Sequence, residues 1–190
     1  MLILASQSPR RKELLAHLHM PFAVRVANID EAMDSAKPPA EEVARVSLAK
    51  ALAVPREGTD VIIAADTIVV LDGKILGKPA DEADAHAMLS ALSGRAHQVM
   101  TGLTVLQGDK HLTHTEITDV YFRPISQTEI DRYVRSGDPM DKAGSYGIQG
   151  GASLFVEKLH GDYYNVMGLP VCRLWQMLGQ LAPQTLEDFQ

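Results

Sequence analysis

Only one cysteine, Cys172, occurs among the 190 residues of this chain. A single thiol cannot close an internal disulfide, and a metal site built from several cysteines is excluded as well. The flanking sequence "LPVCRLW" has the pattern of a helix interior, so we expect a buried thiol rather than a nucleophile. The fold must therefore be stabilised by packing, and a chain of this length can bury a sizeable core.

Long apolar runs are also absent. No stretch approaches the ~20 residues that a membrane span requires. The N-terminal "MLILASQSPRR" is apolar for a few residues only, and its arginines follow the apolar stretch, which is the reverse of a secretory signal. We therefore expect a cytoplasmic protein with no membrane partner.

Positive charge is in short supply. Lysine and arginine together number 18 against 24 aspartate and glutamate residues, which gives a net charge of −6. Binding along duplex nucleic acid depends on neutralising phosphates, so this balance argues against a nucleic-acid partner. An anionic ligand would instead need a local cluster of basic residues.

Strands and helices are mixed along the chain, which contains no repeats, low-complexity tracts or linkers. Apolar runs predict strands over 2–5, 21–31, 97–107, 114–124 and 152–159, and a β-hairpin over 60–79 around the turn Asp72-Gly73. Helical spacing and capping residues predict helices after Ser8 and over 38–54, 80–94, 126–137 and 169–181. The sequence thus predicts one α/β domain over residues 1–190, with a mixed sheet flanked by helices.

Two arginines stand at the start of the first predicted helix. Ser8 is a suitable N-cap and Pro9 a suitable first helical residue, so Arg10 and Arg11 fall in the first turn. The N-terminus of a helix carries partial positive charge, which makes cations there unfavourable unless an anion is nearby. The "SQSPRR" loop, between a strand and a helix, therefore has the position of an anion site.

Asp66 interrupts the apolar run "VIIAADTIVV". An ionised carboxylate there is costly unless it is paired or holds a metal, so we interpret Asp66 as a metal ligand or general base. The alternative is an aspartate at a strand end that bonds to backbone amides. Asp30-Glu31, at the end of the second predicted strand, either adds a carboxylate to the same site or lies in a solvated loop. Oxygen ligands of this kind suit Mg²⁺ or Mn²⁺ bridging to phosphate.

Three lysines, Lys50, Lys78 and Lys142, lie near predicted strand ends and loops. Each taken singly would be read as a solvated side chain. Together with Arg10 and Arg11 they could clamp a triphosphate. The glycines of "GSYGIQG" allow close backbone approach to a ligand, or form a tight turn, and their spacing fits neither a Walker loop nor a dinucleotide fingerprint.

Six blocks of the sequence resemble, in order, the motifs of the Maf family of nucleoside triphosphate pyrophosphatases: "LASQSPRRKELL", "AADTIV", "ILGKPAD", "LSGRAHQVMTG", "MDKAGSYGIQG" and "DYYNVMGLP". The resemblance extends to about Leu181. It implies a two-lobed α/β fold with a central cleft, similar to that of inosine triphosphate pyrophosphatases, and a homodimer. Two departures occur: "VSLAKA" replaces the usual "LAxxKA" around Lys50, and Ser145 replaces a common alanine.

The resemblance also implies roles for individual residues. Asp66 is implied as the catalytic acidic residue, and it shares the metal site with Glu31. Arg11, Thr67 and Gln149 are implied to bear on substrate specificity. Five further positions fall on the family's phosphate site: Ser8, Arg10, Lys50, Lys78 and Lys142.

Asp66-Thr67 points to one branch of that family. The branch carrying "ADT" is associated with hydrolysis of dTTP and UTP, whereas a branch with glutamine after the aspartate prefers 7-methyl-GTP. The resemblance therefore implies cleavage of a pyrimidine nucleoside triphosphate to the monophosphate and pyrophosphate, with Mg²⁺ or Mn²⁺. Two alternatives stay open: the same reaction with another preferred base, such as a modified pyrimidine or 7-methylguanine, and a nucleotide-binding regulator of cell division that works without turnover.

Overall fold

A computed structural model describes residues 1–26 and 28–188 of the chain. The strands are β1 (Leu2–Leu4), β2 (Phe22–Val24), β3 (Val61–Leu71), β4 (Lys74–Leu76), β5 (Ala96–Gln107), β6 (Lys110–Phe122) and β7 (Val156–His160). The helices are α1 (Pro9–Ala16), α2 (Pro39–Ala53), α3 (Glu82–Leu92), α4 (Gln127–Arg135), α5 (Tyr163–Met167) and α6 (Val171–Leu181). Short 3₁₀ turns cover Asp138–Asp141, Ala143–Ser145, Gly151–Leu154 and Pro183–Asp188. None of the helices described is long and apolar enough to cross a membrane.

The strands form one mixed sheet, which confirms the predicted α/β class. Its order is β2-β1-β3-β5-β6-β7, and β4 pairs with β3. β1 runs parallel to β2 and β3, whereas β3, β5, β6 and β7 pair antiparallel. In the middle of the sheet, Asp66 lies opposite Gly102 and Thr67 lies opposite Thr101.

Local signals in the sequence are confirmed where a turn or cap requires a particular residue. Asp72 and Gly73 adopt φ values of +51° and +76°, as a two-residue hairpin turn with two left-handed positions requires. Ser126 and Glu129 form a capping box at the start of α4. Helix α1 begins at Pro9, with Ser8 as its N-cap.

Successive side chains of β3 point to opposite faces of the sheet. On one face, Ile62 and Ile68 belong to apolar clusters that include α2. On the other face, Ile63 packs in a cluster with α1 and α6, and Val69 packs in a separate cluster with α3 and α4. Thr67 lies on this second face, between the two clusters.

The second strand is shorter than the sequence predicts. β2 ends at Val24 because its partner β1 ends at Leu4 and offers no further pairs. Asp30-Glu31 therefore lies in an irregular segment that leads to α2. Ala27, which the predicted strand also included, falls outside the described residues.

Two further expectations are corrected. β7 begins at Val156 rather than at Ala152, because the preceding residues form a 3₁₀ turn. The thiol of Cys172 is exposed, not buried. The buried face of α6 is formed by Leu174, Met177 and Leu178, whose spacing turns residue 172 to the opposite side of the helix.

Candidate active site

A cleft with a volume of about 760 Å³ opens beside the middle of β3 and β5. Its lining includes Ile148 and Met167 from the α1/α6 cluster, and Val69 and Tyr146 from the α3/α4 cluster. The ten residues singled out in the sequence all line this cleft: Ser8, Arg10, Arg11, Glu31, Lys50, Asp66, Thr67, Lys78, Lys142 and Gln149. The fold thus brings together positions that are far apart in the chain.

Glu31, Lys50 and Asp66 form a charged group that we term the Lys50 cluster. The Lys50 Nζ lies 2.7 Å from Asp66 Oδ1 and 2.9 Å from Glu31 Oε2. The side chains of Lys50 and Asp66 are 13% and 12% exposed, whereas that of Glu31 is 58% exposed. Because Asp66 lies in the middle of β3 and pairs with a lysine, its interpretation as a strand-end aspartate is wrong.

Helix α2 reaches Asp66 because it packs unusually close to the sheet. Gly102, opposite Asp66 on β5, lies so near α2 that a Cβ there would be 2.3 Å from the carbonyl oxygen of Val43. Lys50 follows Val43 by two helical turns, so it projects from the same side of α2. The missing side chain of Gly102 therefore allows α2 to approach the strand that carries Asp66.

The start of α1 supplies the basic side of the cleft. Ser8 Oγ accepts the backbone N–H of Arg11 at 3.4 Å, and the first turn of the helix contains no acidic residue. Arg10 is half-buried in the cleft lining. Its positive charge adds to that of the helix N-terminus, which favours an anion at this position.

Arg11 is held by three neutral oxygen atoms rather than by a charged carboxylate. Its Nε donates to Gly168 O at 2.7 Å, one terminal nitrogen donates to Thr67 Oγ1 at 2.9 Å, and the other donates to Ser6 Oγ at 3.3 Å. Burial lowers the pKa of Arg11, and the nearby charge of Asp66 opposes that shift. The planar guanidinium is therefore fixed beside Thr67, with N–H groups to spare for a ligand.

Lys142 lies on the other side of the cleft, where its ammonium contacts two carboxylates. Its Nζ is 2.7 Å from Asp141 Oδ1 and 3.1 Å from Asp138 Oδ1. The loop that carries it is joined to the loop of Lys78 by a hydrogen bond from Gly144 N to Gly77 O at 3.0 Å.

Only glycine fits at position 144, at the base of the Lys142 loop. Gly144 has a φ of +66°, and a Cβ there would come within 2.8 Å of the Val69 side chain. The glycine-rich segment thus folds closely over β3. Lys78 and Gln149 are exposed at the mouth of the cleft.

Sequence reasoning missed several residues at this site. Ser6 and Gly168 hold Arg11, while Asp138 and Asp141 hold Lys142. The hydroxyl oxygens of Thr101 and Thr67 lie 2.9 Å apart and share a hydrogen bond. Gly168 lies within the quoted block "DYYNVMGLP". Its residue type does not indicate that its carbonyl oxygen accepts a hydrogen bond from Arg11, because every residue carries a backbone carbonyl.

The Lys50 cluster has the donor chemistry of a divalent metal site. Within the described residues, no three His, Cys, Asp or Glu side chains converge as a preformed site. Mg²⁺ is commonly held by one or two carboxylates together with substrate phosphates. Glu31 and Asp66 fit that pattern, because both already converge on one positive charge, the ammonium of Lys50.

Known proteins share both the sequence and the fold. The family model described as "Maf-like protein" matches residues 1–181. A protein from Symbiobacterium thermophilum named dTTP/UTP pyrophosphatase is 53% identical over 182 residues, which cover 95% of this chain and 94% of that protein. A protein of the same name from Bacillus cereus (strain AH820) is 47% identical over 180 residues, which cover 94% of each chain.

Among solved structures, a HAM1 protein from Coxiella burnetii aligns with a TM-score of 0.51 and 16% identity. The alignment covers 94% of this chain and 98% of that one. At this identity the likeness concerns the fold alone. The family is shown by the sequence, which matches over residues 1–181 and is 47–53% identical to the relatives above: this chain belongs to the Maf-like proteins.

Proposed function

We propose that this protein hydrolyses dTTP and UTP to the nucleoside monophosphate and pyrophosphate. The observation that carries the proposal is the placement of the Lys50 cluster and the Arg11–Thr67 pair around one cleft. The names of the two relatives support the same activity. The volume of about 760 Å³ also suits a nucleotide, since small-molecule sites typically measure 300–1,000 Å³.

In the proposed reaction, water attacks the α-phosphorus of the nucleotide. The bond from that phosphorus to the oxygen bridging the α- and β-phosphates breaks, and pyrophosphate leaves with that oxygen. Asp66 either accepts the proton of the attacking water or holds a cation that neutralises the phosphate. Lys50 offsets the charge of Asp66 and Glu31 while the anionic substrate binds beside them.

The remaining cations of the cleft would bind the polyphosphate. Arg10 and Lys78 would neutralise charge that develops on the leaving pyrophosphate. Lys142 would exchange contacts with Asp138 and Asp141 for phosphate oxygens. These roles require the β- and γ-phosphates to lie between the start of α1 and the Lys142 loop.

We propose Mg²⁺ or Mn²⁺ as the cofactor, held by Asp66 and Glu31. Such an ion, when bound, supplies positive charge to the phosphate oxygens. The two carboxylates provide the hard oxygen ligands that these ions prefer.

The other side of β3 would read the base. Thr67 and Gln149 line the cleft and would hydrogen-bond to the edge of the base. A base that lacks a matching group leaves a polar atom unpaired, which gives strong discrimination.

We also propose that the protein forms a homodimer in the cytoplasm. A dimer of two 20.7-kDa chains has a mass of about 41 kDa (2 × 20.7). Light scattering coupled to size-exclusion chromatography tests this: a mass near 41 kDa is expected, and a mass near 21 kDa would contradict it.

The proposed function is tested with the purified protein, Mg²⁺ and a panel of nucleoside triphosphates that includes 7-methyl-GTP. Pyrophosphate and phosphate release are measured separately. We expect dTTP and UTP to yield pyrophosphate faster than the other nucleotides. Intact nucleotides, together with a melting temperature raised by dTTP, would instead favour the regulator without turnover.

A further inference from the structure

We propose that Thr101 fixes the direction of a buried hydrogen-bond chain, so that the Thr67 hydroxyl can only accept hydrogen bonds from a bound base. This makes Thr101 a positioning residue that favours uracil and thymine over cytosine. The inference rests on the proposed function, because it concerns the base of the nucleotide that the cleft would hydrolyse.

Four groups form the chain, and its direction follows from the two ends. Thr67 Oγ1 lies 2.9 Å from an Arg11 terminal nitrogen and 2.9 Å from Thr101 Oγ1. Thr101 Oγ1 in turn lies 3.0 Å from the backbone carbonyl oxygen of Asn165. A guanidinium only donates and a carbonyl oxygen only accepts. Thr101 must therefore donate to Asn165 O, Thr67 must donate to Thr101, and Arg11 must donate to Thr67.

Burial keeps the chain in this direction. Thr101 and Asn165 are both fully buried, so solvent cannot supply an alternative partner at that end. Asn165 is also tied to the sheet, since its Nδ2 donates to Val99 O at 3.0 Å and to Thr118 Oγ1 at 2.9 Å. The Asn165 carbonyl, which accepts the hydrogen bond from Thr101, is therefore held in place by side-chain contacts to β5 and β6.

The same carbonyl also supports Arg11 by a second route. Gly168 N donates to Asn165 O at 3.0 Å, and Gly168 O accepts from Arg11 Nε at 2.7 Å. Two of the three contacts of the Arg11 guanidinium, those to Thr67 and Gly168, thus lead back to Asn165. The cleft presents a fixed donor, Arg11, next to a fixed acceptor, Thr67.

This arrangement matches one kind of pyrimidine edge. A hydroxyl oxygen has two lone pairs, and Arg11 uses one of those on Thr67, which leaves one for a ligand. Uracil and thymine present N3–H between two carbonyl oxygens, which complements an acceptor beside a donor. Cytosine presents an unprotonated N3 at the same place, so the Thr67 oxygen would face another lone pair.

The test compares UTP with CTP, which differ only at the base edge in question. In Thr101→Val the Thr67 proton loses its acceptor and can turn toward the ligand. We expect the ratio of kcat/KM for UTP to kcat/KM for CTP to fall about tenfold, the effect of one hydrogen bond. Thr101→Ser keeps the hydroxyl and should restore the ratio.

Thr104→Val is the matched control. Thr104 is also a buried threonine of β5, and its hydroxyl bonds to Ser47 Oγ at 2.8 Å and Thr113 Oγ1 at 3.0 Å, away from the cleft. Thr104→Val should lower the melting temperature without changing the UTP to CTP ratio. An unchanged ratio in Thr101→Val, or an equal change in both valine variants, would overturn the proposal.

A substrate analogue tests the same point without any variant that must fold. N3-methyl-UTP lacks the N3–H group that would donate a hydrogen bond to the Thr67 oxygen. The wild-type protein should hydrolyse it at least about tenfold more slowly than UTP. Equal rates would overturn the role of Thr67 as acceptor while leaving the pyrophosphatase activity intact, whereas no turnover of either UTP or dTTP would show that the proposed function itself is wrong.

Discussion

The two faces of β3 carry different chemistry, although Asp66 and Thr67 are neighbours in the sequence. Asp66 faces α2, where it meets the Lys50 ammonium and a second carboxylate. Thr67 faces α1 and α5, where it meets Arg11 and a chain of neutral oxygen atoms. Because side chains alternate along a strand, one dipeptide supplies both a charged group and the group that we propose to recognise the base.

The comparison also indicates how each face should respond to mutation. A charge left without its partner in a buried site is strongly unfavourable. Loss of one neutral hydrogen bond has a smaller effect, typically about 1 kcal/mol. Changes on the α2 face should therefore reduce turnover of all substrates, and changes on the opposite face should alter the choice among them.

Asp66→Asn should have the largest effect. The amide keeps the size of the carboxylate but can neither accept a proton from water nor balance the Lys50 charge. We expect kcat to fall about 10³-fold for dTTP and UTP alike, within the range of general-base catalysis. Steady-state pyrophosphate release measures this, and a rate within tenfold of wild type would remove Asp66 from the mechanism.

Lys50→Met should reduce turnover next most. It leaves Asp66 and Glu31 side by side without the cation that lies 2.7 and 2.9 Å from them. We expect kcat/KM for dTTP to fall about 10²-fold, as when an electrostatic contact at a reacting centre is lost. Lys110→Met, at an exposed position beside the β5–β6 turn, is the control and should retain wild-type turnover.

Arg11→Lys tests the face that we propose to recognise the base. A lysine cannot reproduce a planar group that bonds to Gly168 O, Thr67 Oγ1 and Ser6 Oγ at once. We expect kcat/KM for UTP to fall about tenfold. Arg10→Lys keeps a charge where none of these three contacts is made, so its loss should be smaller; equal losses would contradict a specific role for the Arg11 guanidinium.

Gly102→Ala tests the packing of α2 against β5. The new Cβ would lie 2.3 Å from Val43 O, so the helix must shift, and overpacking of this kind costs about 1–3 kcal/mol. Chemical denaturation should show this loss in the free energy of unfolding. Gly58→Ala, where a Cβ meets no atom within 4 Å, is the matched control and should leave that free energy nearly unchanged.

Replacement of His97 should have the smallest effect on turnover at neutral pH. Burial lowers its pKa from an ordinary 6.5 to about 4, so the folded protein holds it neutral. Between pH 6.5 and 4 the unfolded chain binds the proton first, and stability falls as the pH is lowered, by at most about 1.4 kcal/mol per pH unit. Unfolding free energies measured across this range should show a shallower slope in His97→Gln.

The carboxylates with strongly lowered pKa values affect the stability of the protein over a different pH range. Hydrogen bonds from Arg45 and Arg123 lower the pKa of Glu42 and Glu129 from 4.5 to about 2. Their contribution is lost as the pH falls from about 4.5 toward 2, mostly below the range of His97. An identical slope in wild type and His97→Gln between pH 6.5 and 4 would contradict the assignment to His97.

Much of the fold follows from signals that act locally. Ser8-Pro9 specifies a helix start through its own hydroxyl and ring, and Asp72-Gly73 specifies a turn through its backbone preferences. Asp66 is conspicuous because a carboxylate in an apolar run requires a partner. Such features need no knowledge of the rest of the molecule.

Contacts between distant residues are not predictable in this way. Arg11 and Gly168 are 157 positions apart, and the hydrogen bond uses a backbone carbonyl that any residue carries. The sequence gives no indication of a role for Thr101 either, since threonine is common in strands. Cys172 shows a different limit, because apolar neighbours along the chain do not decide on which side of a helix a residue lies. The spacing of Leu174, Met177 and Leu178 places residue 172 on the face turned away from the core.

The division between the two faces is tested most directly by measuring kcat/KM for UTP and CTP in wild type, Asp66→Asn and Thr67→Val. Asp66→Asn should lower both values by the same factor and leave their ratio unchanged. Thr67→Val, which removes the acceptor oxygen, should lower the ratio about tenfold. A changed ratio in Asp66→Asn, or equal losses for both nucleotides in Thr67→Val, would contradict the account.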